Sequence, residues 1–272
     1  MIGAREATAF ALLPVVLAAI VFLPAWVYLA IVWAITLLAV RELLALLARL
    51  GYPAPQAPTL VAVGLALPAL WLGGLRASGA ILAALVLAVP LLYLLGRYPI
   101  RGATAGIAGA TFAALYFAAT GGAMGMLRTL FAGTLGVKVV LLHCLTVWGG
   151  DSGAYYLGSR FGRHRLAPQV SPKKSWEGVA GGVALTAFGV WFCRTVFFPD
   201  LDLRTSLALF VLLSVLAPLG DLVESLFKRD AGVKDSSEVI PGHGGFLDRT
   251  DSLFYAAPFV LALMIYCLGT PV

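Results

Sequence analysis

Charge is what this chain has least of. Only 12% of its 272 residues are Asp, Glu, Lys or Arg, and 61% are apolar, whereas a soluble domain carries about 25% charged residues. With a mean hydropathy of +0.95, a water-soluble fold is excluded. Cysteine is scarce as well. Cys144, Cys193 and Cys267 fall in three different apolar runs, without the close spacing of a zinc site or a redox pair, and are expected to pack as small apolar side chains. The chain has neither a Gly-x4-Gly-Lys-Ser/Thr phosphate loop nor a dinucleotide fingerprint, so any nucleotide is held in another way. Histidine is limited to His143, His164 and His243, which offer no Ser-His-Asp or Cys-His arrangement. The basic stripe and stacking aromatics of a nucleic-acid binder are missing, so no nucleic acid is expected as a partner. No long internal repeat points to the inverted halves of a transporter.

What is present is long apolar sequence, recurring from Phe10 onward. A helix needs about 20 such residues to cross a hydrocarbon core of about 30 Å, so spans nearly exhaust the length. The expected fold class is all-α, a polytopic integral membrane bundle of about nine transmembrane helices at 8–23, 25–47, 58–74, 78–96, 103–120, 134–157, 176–198, 205–229 and 250–269. One membrane domain is expected, with N-terminal spans over 1–133 and C-terminal spans over 134–272. The first run, preceded by Arg5, is read as a retained span rather than a cleaved signal. Gly-Gly pairs at 73, 121, 149 and 181 are expected to let helices approach closely. On this scheme 14 of the Lys and Arg residues fall on one side of the membrane and 5 on the other. The positive-inside rule makes the richer side cytoplasmic.

Two polar blocks, 151–178 and 221–251, open to that side. The second holds eleven charged residues between Asp221 and Asp251, and charge concentrated at a membrane boundary usually has a function. Asp221, Glu224, Ser225 and Lys228 recur at i, i+3, i+4 and i+7, one face of a helix. Such a stripe must face a wet cavity or partners inside the bundle; an ion-paired helix end is the plainer alternative. Pro241, Gly242, His243, Gly244 and Gly245 form a loop suited to very close backbone approach, as to a phosphate chain. The loop delivers Asp248 and Asp251 to the start of the last span. Carboxylates converging at the mouths of two helices suit a hard cation such as Mg²⁺, which shares its coordination with water and phosphate. Arg249 offers a planar, bidentate phosphate donor. In the first block, Asp151 ends the sixth span. Ser171, Lys173 and Lys174 precede a helix N-terminus, a good anion site, although basic cytoplasmic flanks also arise for topological reasons.

Ser225, Lys228, Arg229, Lys234, Asp235, His243, Gly244, Gly245, Phe246, Asp248, Arg249, Thr250 and Asp251 match the signature of the phosphatidate cytidylyltransferase family, which the chain resembles. The stretches from Asp151 to Tyr155 and from Ser171 to Gly178 resemble it too, with Ser175 where Thr is more usual. The resemblance is close over about 100 residues of the C-terminal half. It implies transfer of CMP from CTP to phosphatidate in the bilayer, giving CDP-diacylglycerol and pyrophosphate. Mg²⁺ is implied as cofactor, alone or with a second cation, held by Asp221 and Asp248, with Asp251 as a further candidate. It also implies Lys173, Lys174 and Arg249 as partners of phosphate charge. Lys228, Arg229, Lys234 and Asp235 would shape the pocket for CTP or the lipid head, with His243 and the two glycines after it in the binding loop. A homodimer among membrane lipids, in a bacterial inner membrane with the site facing the cytoplasm, completes the expectation.

A CTP-dependent polyprenol or phytol kinase is the nearest alternative; it would release CDP instead of pyrophosphate. An ion or solute transporter is the other, and would carry polar residues at mid-bilayer in several helices. The expected orientation places the C-terminus outside. A C-terminal reporter that works only in the cytoplasm is therefore expected to be silent, and an active fusion would overturn the orientation.

Overall fold

The computed structural model describes residues 14–52, 54–131, 133–239 and 244–269. Helical turns at 14–22 precede seven longer helices: α1 (Ala25–Arg49), α2 (Gln56–Leu95), α3 (Ala103–Thr129), α4 (Leu135–Phe161), α5 (Trp176–Val196), α6 (Leu203–Asp230) and α7 (Leu247–Leu268). Between α4 and α5 lie two short strands, β1 (Arg165–Ala167) and β2 (Ser171–Ser175). The described chain forms two compact units. The first comprises Met1–Thr129 with Phe227–Thr250, the second Leu130–Leu226 with Asp251–Val272.

Among the described residues, six helices are long and apolar enough to cross a membrane: α1, α2, α3, α5, α6 and α7. The expected count of about nine is therefore not the count observed, and the differences have physical sources. The expected spans 58–74 and 78–96 are one element here, α2, broken at Gly74 (φ 57°, ψ −153°). Forty helical residues would measure about 60 Å if straight, twice the hydrocarbon core. The break folds the element back, so that Ala57, Pro58, Val61 and Leu65 line an apolar groove together with Ala88, Leu91 and Leu92. Helix α4, expected as a span, is not among the six; Lys138, His143, Asp151 and Arg160 interrupt it. The expected first span lies partly outside the described residues.

In the first unit, α1, α2 and α3 bind one another through small residues and indole or phenol groups. Tyr28 donates to the Met124 carbonyl (3.1 Å), Trp33 to Gly64 (2.9 Å) and Trp71 to Gly122 (3.1 Å). In hydrocarbon no water can satisfy such donors, so a backbone carbonyl on the next helix must. Gly121 makes room for this approach, since a Cβ there would come 2.6 Å from the Thr36 hydroxyl. Leu44, Leu67, Phe117 and Leu127 fill the interior.

The second unit is organised by a glycine seam. A Cβ on Gly153 of α4 would collide with the Gly181 carbonyl of α5, and one on Gly181 with the Gly153 carbonyl. Gly182 meets Gly150, and Gly178 meets Gly158. The two backbones touch directly, the expected use of small residues in a membrane bundle. Gly220 likewise lets α6 approach Tyr255 and the Asp251 carbonyl of α7. The buried ring of His143 donates from Nε2 to the Leu253 carbonyl (3.0 Å), tying α4 to α7. Asp202 caps α6 by accepting from the amides of Arg204 (2.8 Å) and Thr205 (3.0 Å). The Thr205 hydroxyl and these amides hold its carboxyl below the usual range.

The chain is all-α as expected, apart from the short hairpin of β1 and β2. They pair antiparallel, Arg165 opposite Ser175 and Ala167 opposite Ser171, with a register shift between. Pro172 contributes no N–H to the ladder, as edge positions allow. The hairpin turns the chain from α4 directly into α5. There Ser175, almost fully buried, accepts a hydrogen bond from the Gly178 amide (3.2 Å), an ordinary N-cap.

Gly153→Leu is expected to lower the melting temperature in detergent by about 5 °C or more, given the usual penalty for overpacking. Gly79→Leu, at a position with open space around it, should melt close to the parent. Equal melting of the two variants would contradict the seam.

Candidate functional site

Helix α6 ends, and α7 begins, in the polar sequence singled out above. In the first unit the residues flanking this turn meet around Asp248. Its Oδ1 accepts from the Lys228 ammonium at 2.5 Å. Its Oδ2 accepts from the Ser236 amide (2.9 Å), the Ser236 hydroxyl (2.7 Å) and the Gly245 amide (2.8 Å). Both ends of the ion pair are buried, with 9% of the Lys228 side chain and 4% of that of Asp248 exposed. Burial of one charge is tolerable here because the other neutralises it and further hydrogen bonds serve Oδ2.

Close backbone approach makes the arrangement possible. Gly244 has φ +77°, and a Cβ there would come 2.6 Å from Asp248 Oδ2. A Cβ on Gly245 would collide with Glu42 and Ser236. The glycines thus bring main chain against two carboxylates of the protein itself. His243 lies outside the described residues.

Glu42, on α1, went unnoticed in the sequence. It is 7% exposed and accepts from the Ser236 and Ser237 hydroxyls (2.9 and 2.7 Å) and the Phe246 and Leu247 amides (3.2 and 2.8 Å). The Ser236 hydroxyl has one proton and two carboxylate neighbours, Glu42 and Asp248, so it serves one of them at a time or is shared. A lone acid among leucines carries no local signal of such a role.

In the second unit, Asp221 pairs with Lys174 (2.7 Å) on Oδ2 and accepts from Ser225 (3.2 Å) on Oδ1. Lys174, in β2, also donates to the Pro218 carbonyl (3.3 Å). One quarter of the Lys174 side chain and one third of that of Asp221 are exposed, so this pair is more open than the Lys228 and Asp248 pair. The Ser225 to Asp221 bond places the two on one face of α6, and Glu224, also on that stripe, is buried.

The other expected residues are more open. Lys173, Arg229, Lys234, Asp235, Arg249 and Asp151 are exposed, while Ser171 and Asp251 are half-buried. Arg229 donates to the Val233 carbonyl (3.0 Å), which helps close the turn after α6. His164 and the amides of Arg163 and His164 converge on Glu177, shaping the basic turn before the hairpin.

No group of three His, Cys, Asp or Glu side chains that could hold a metal occurs among the described residues. The donor chemistry nevertheless separates the candidates. Asp221, partly exposed and paired with a mobile type of side chain, fits a magnesium ion that keeps its waters and shares phosphate oxygens. Asp248, also expected as a metal ligand, is more enclosed, with Lys228 on Oδ1 and the Ser236 and Gly245 donors on Oδ2.

A family model described as "Cytidylyltransferase family" matches residues 3–267. The phosphatidate cytidylyltransferase of Haemophilus influenzae is 48% identical over 128 residues, 46% of this chain and 44% of that protein. Those of Pseudomonas aeruginosa and Bacillus subtilis are 45% and 40% identical over 130 and 129 residues, 46% and 47% of this chain and 47% and 48% of those proteins. The chain spans about half the length of the curated relatives it matches.

Lys228→Met strands a buried carboxylate and should destabilise the protein by about 3–5 kcal/mol. Adding Asp248→Asn should restore much of the loss, so unfolding titrations of the two single variants and the double variant should be strongly non-additive. Additive losses would show that the pair is not coupled.

Proposed function

The chain belongs to the cytidylyltransferase family, and from that premise we propose that it transfers the cytidylyl group of CTP to phosphatidate, releasing pyrophosphate. The observation that carries this reading is the match from residue 3 to residue 267, together with relatives named for that activity. The six helices among the described residues that are long and apolar enough to cross a membrane suit a lipid substrate that never leaves the bilayer. A bacterial inner membrane, with the polar blocks facing the cytoplasm, would bring CTP to the same boundary.

In the proposed reaction, a phosphate oxygen of phosphatidate bonds to the α-phosphorus of CTP. The bond from that phosphorus to the α,β-bridging oxygen breaks, and pyrophosphate leaves with the electron pair. A phosphate monoester is already ionised at neutral pH, so no strong base is needed and catalysis is mainly alignment and charge neutralisation. Lys174 lies where an incoming polyphosphate could draw it from Asp221. Asp221 would then be the ligand of magnesium, which when bound supplies charge neutralisation on the phosphates. Asp248 orders the turn through Lys228, Ser236 and Gly245. Exposed Lys173, Arg229, Lys234 and Arg249 are proposed to attract the phosphates of CTP and of the lipid head.

Purified protein with phosphatidate, Mg²⁺ and CTP labelled at the α or γ phosphate tests the reading. The α label should enter lipid and the γ label should leave as pyrophosphate. Transfer of the γ label to an added lipid alcohol, or no turnover, would contradict it. Asp221→Asn should lower the rate at least about 100-fold, as loss of a main charge-stabilising group does, with the melting temperature unchanged.

A further inference from the structure

The contacts of Glu42 follow a pattern that a generic buried acid would not need. Oε2 accepts from the Ser236 hydroxyl and the Leu247 amide, and Oε1 from the Ser237 hydroxyl and the Phe246 amide. Each oxygen thus takes one donor from the segment after α6 and one from the start of α7. A single carboxylate braces two chain segments that are ten residues apart. Phe246 and Leu247 stand at the N-terminus of α7, where amides have no partner within the helix and a negative group is favoured by the helix dipole. Asp248 is joined to the same brace through Ser236.

We propose that Glu42 is a positioning residue for the cytidylyl transfer proposed above. By pinning residues 236–237 to residues 246–247, it sets the place of Lys234 and Asp235 on one side and of Asp248 and Arg249 on the other. The inference rests on that functional reading for its kinetic consequence, but the brace itself does not. Chemistry restricts the position to glutamate. Glutamine keeps one acceptor oxygen and turns an NH₂ toward donors that it cannot satisfy, since a backbone amide has no acceptor to offer in return. Aspartate is one methylene short of the same reach. Gly245 allows no bulkier neighbour, as its missing side chain is the space that Glu42 fills.

Glu42→Gln and Glu42→Asp, in the full-length protein in detergent or nanodiscs, test the proposal with two readouts. Amide hydrogen exchange at Phe246 and Leu247 should quicken at least about tenfold in Glu42→Gln, while protection of α2 and α5 is unchanged. The kcat or the KM for CTP, measured at a temperature where the variant is fully folded, should worsen at least about tenfold. Wild-type exchange at these two amides would overturn the brace. Faster exchange with wild-type kinetics would overturn the positioning role, as would activity lost only in proportion to folded protein. If the parent chain has no cytidylyltransferase activity the functional reading fails, and the positioning role with it, while exchange still decides whether the brace exists. Glu42→Ala, should it fail to fold, leaves the two conservative variants to decide.

Discussion

A carboxylate buried where a membrane helix begins must be given donors on every side, and Asp248 is given them by residues that otherwise have no reason to meet. Lys228 comes from the end of α6, Ser236 from the turn after it and Gly245 from the residues before α7. Isolated burial of that charge would cost several kcal/mol, so the turn is compelled to close around it. Glu42 repeats the solution from α1 with Ser237, Phe246 and Leu247, and shares the Ser236 hydroxyl with Asp248. Residues 236–237 and 245–247 are thus held by the two carboxylates they satisfy.

The rest of the chain supplies a setting in which such polar chemistry can sit at the edge of hydrocarbon. Apolar helices meet through glycine, backbone on backbone, along Gly150, Gly153, Gly181 and Gly182, because there is little hydrophobic drive between helices already surrounded by lipid. The Lys174 and Asp221 pair, by contrast, is partly open.

Much of this is legible in the sequence. Long apolar runs punctuated by Gly and Pro located α5 and α6 to within two residues, and the signature residues pointed to the turn before α7. What stayed hidden had no local periodicity. The hairpin consists of three- and five-residue strands, one of them Ser-Pro-Lys-Lys-Ser, with no alternation to read. Helix α3 continues past residue 120 to Thr129 because Gly121, Gly122 and Gly125 are packing surfaces for Thr36, Leu70 and Trp71, not a stop signal. Helix α7 begins at Leu247 rather than 250 because Glu42 accepts its first amides. Glu42 is 194 residues from Ser236, a pairing that only the folded chain reveals.

The central claim is that these clusters align and neutralise, so that phosphatidate displaces pyrophosphate in one direct step without a covalent protein intermediate. CTP made chiral by sulfur at the α-phosphorus puts that claim to a single measurement, the configuration of the resulting CDP-diacylglycerol analogue. One in-line displacement predicts inversion at phosphorus. Retention would require two displacements, hence a cytidylyl group carried transiently by a residue of the protein, and would contradict the account.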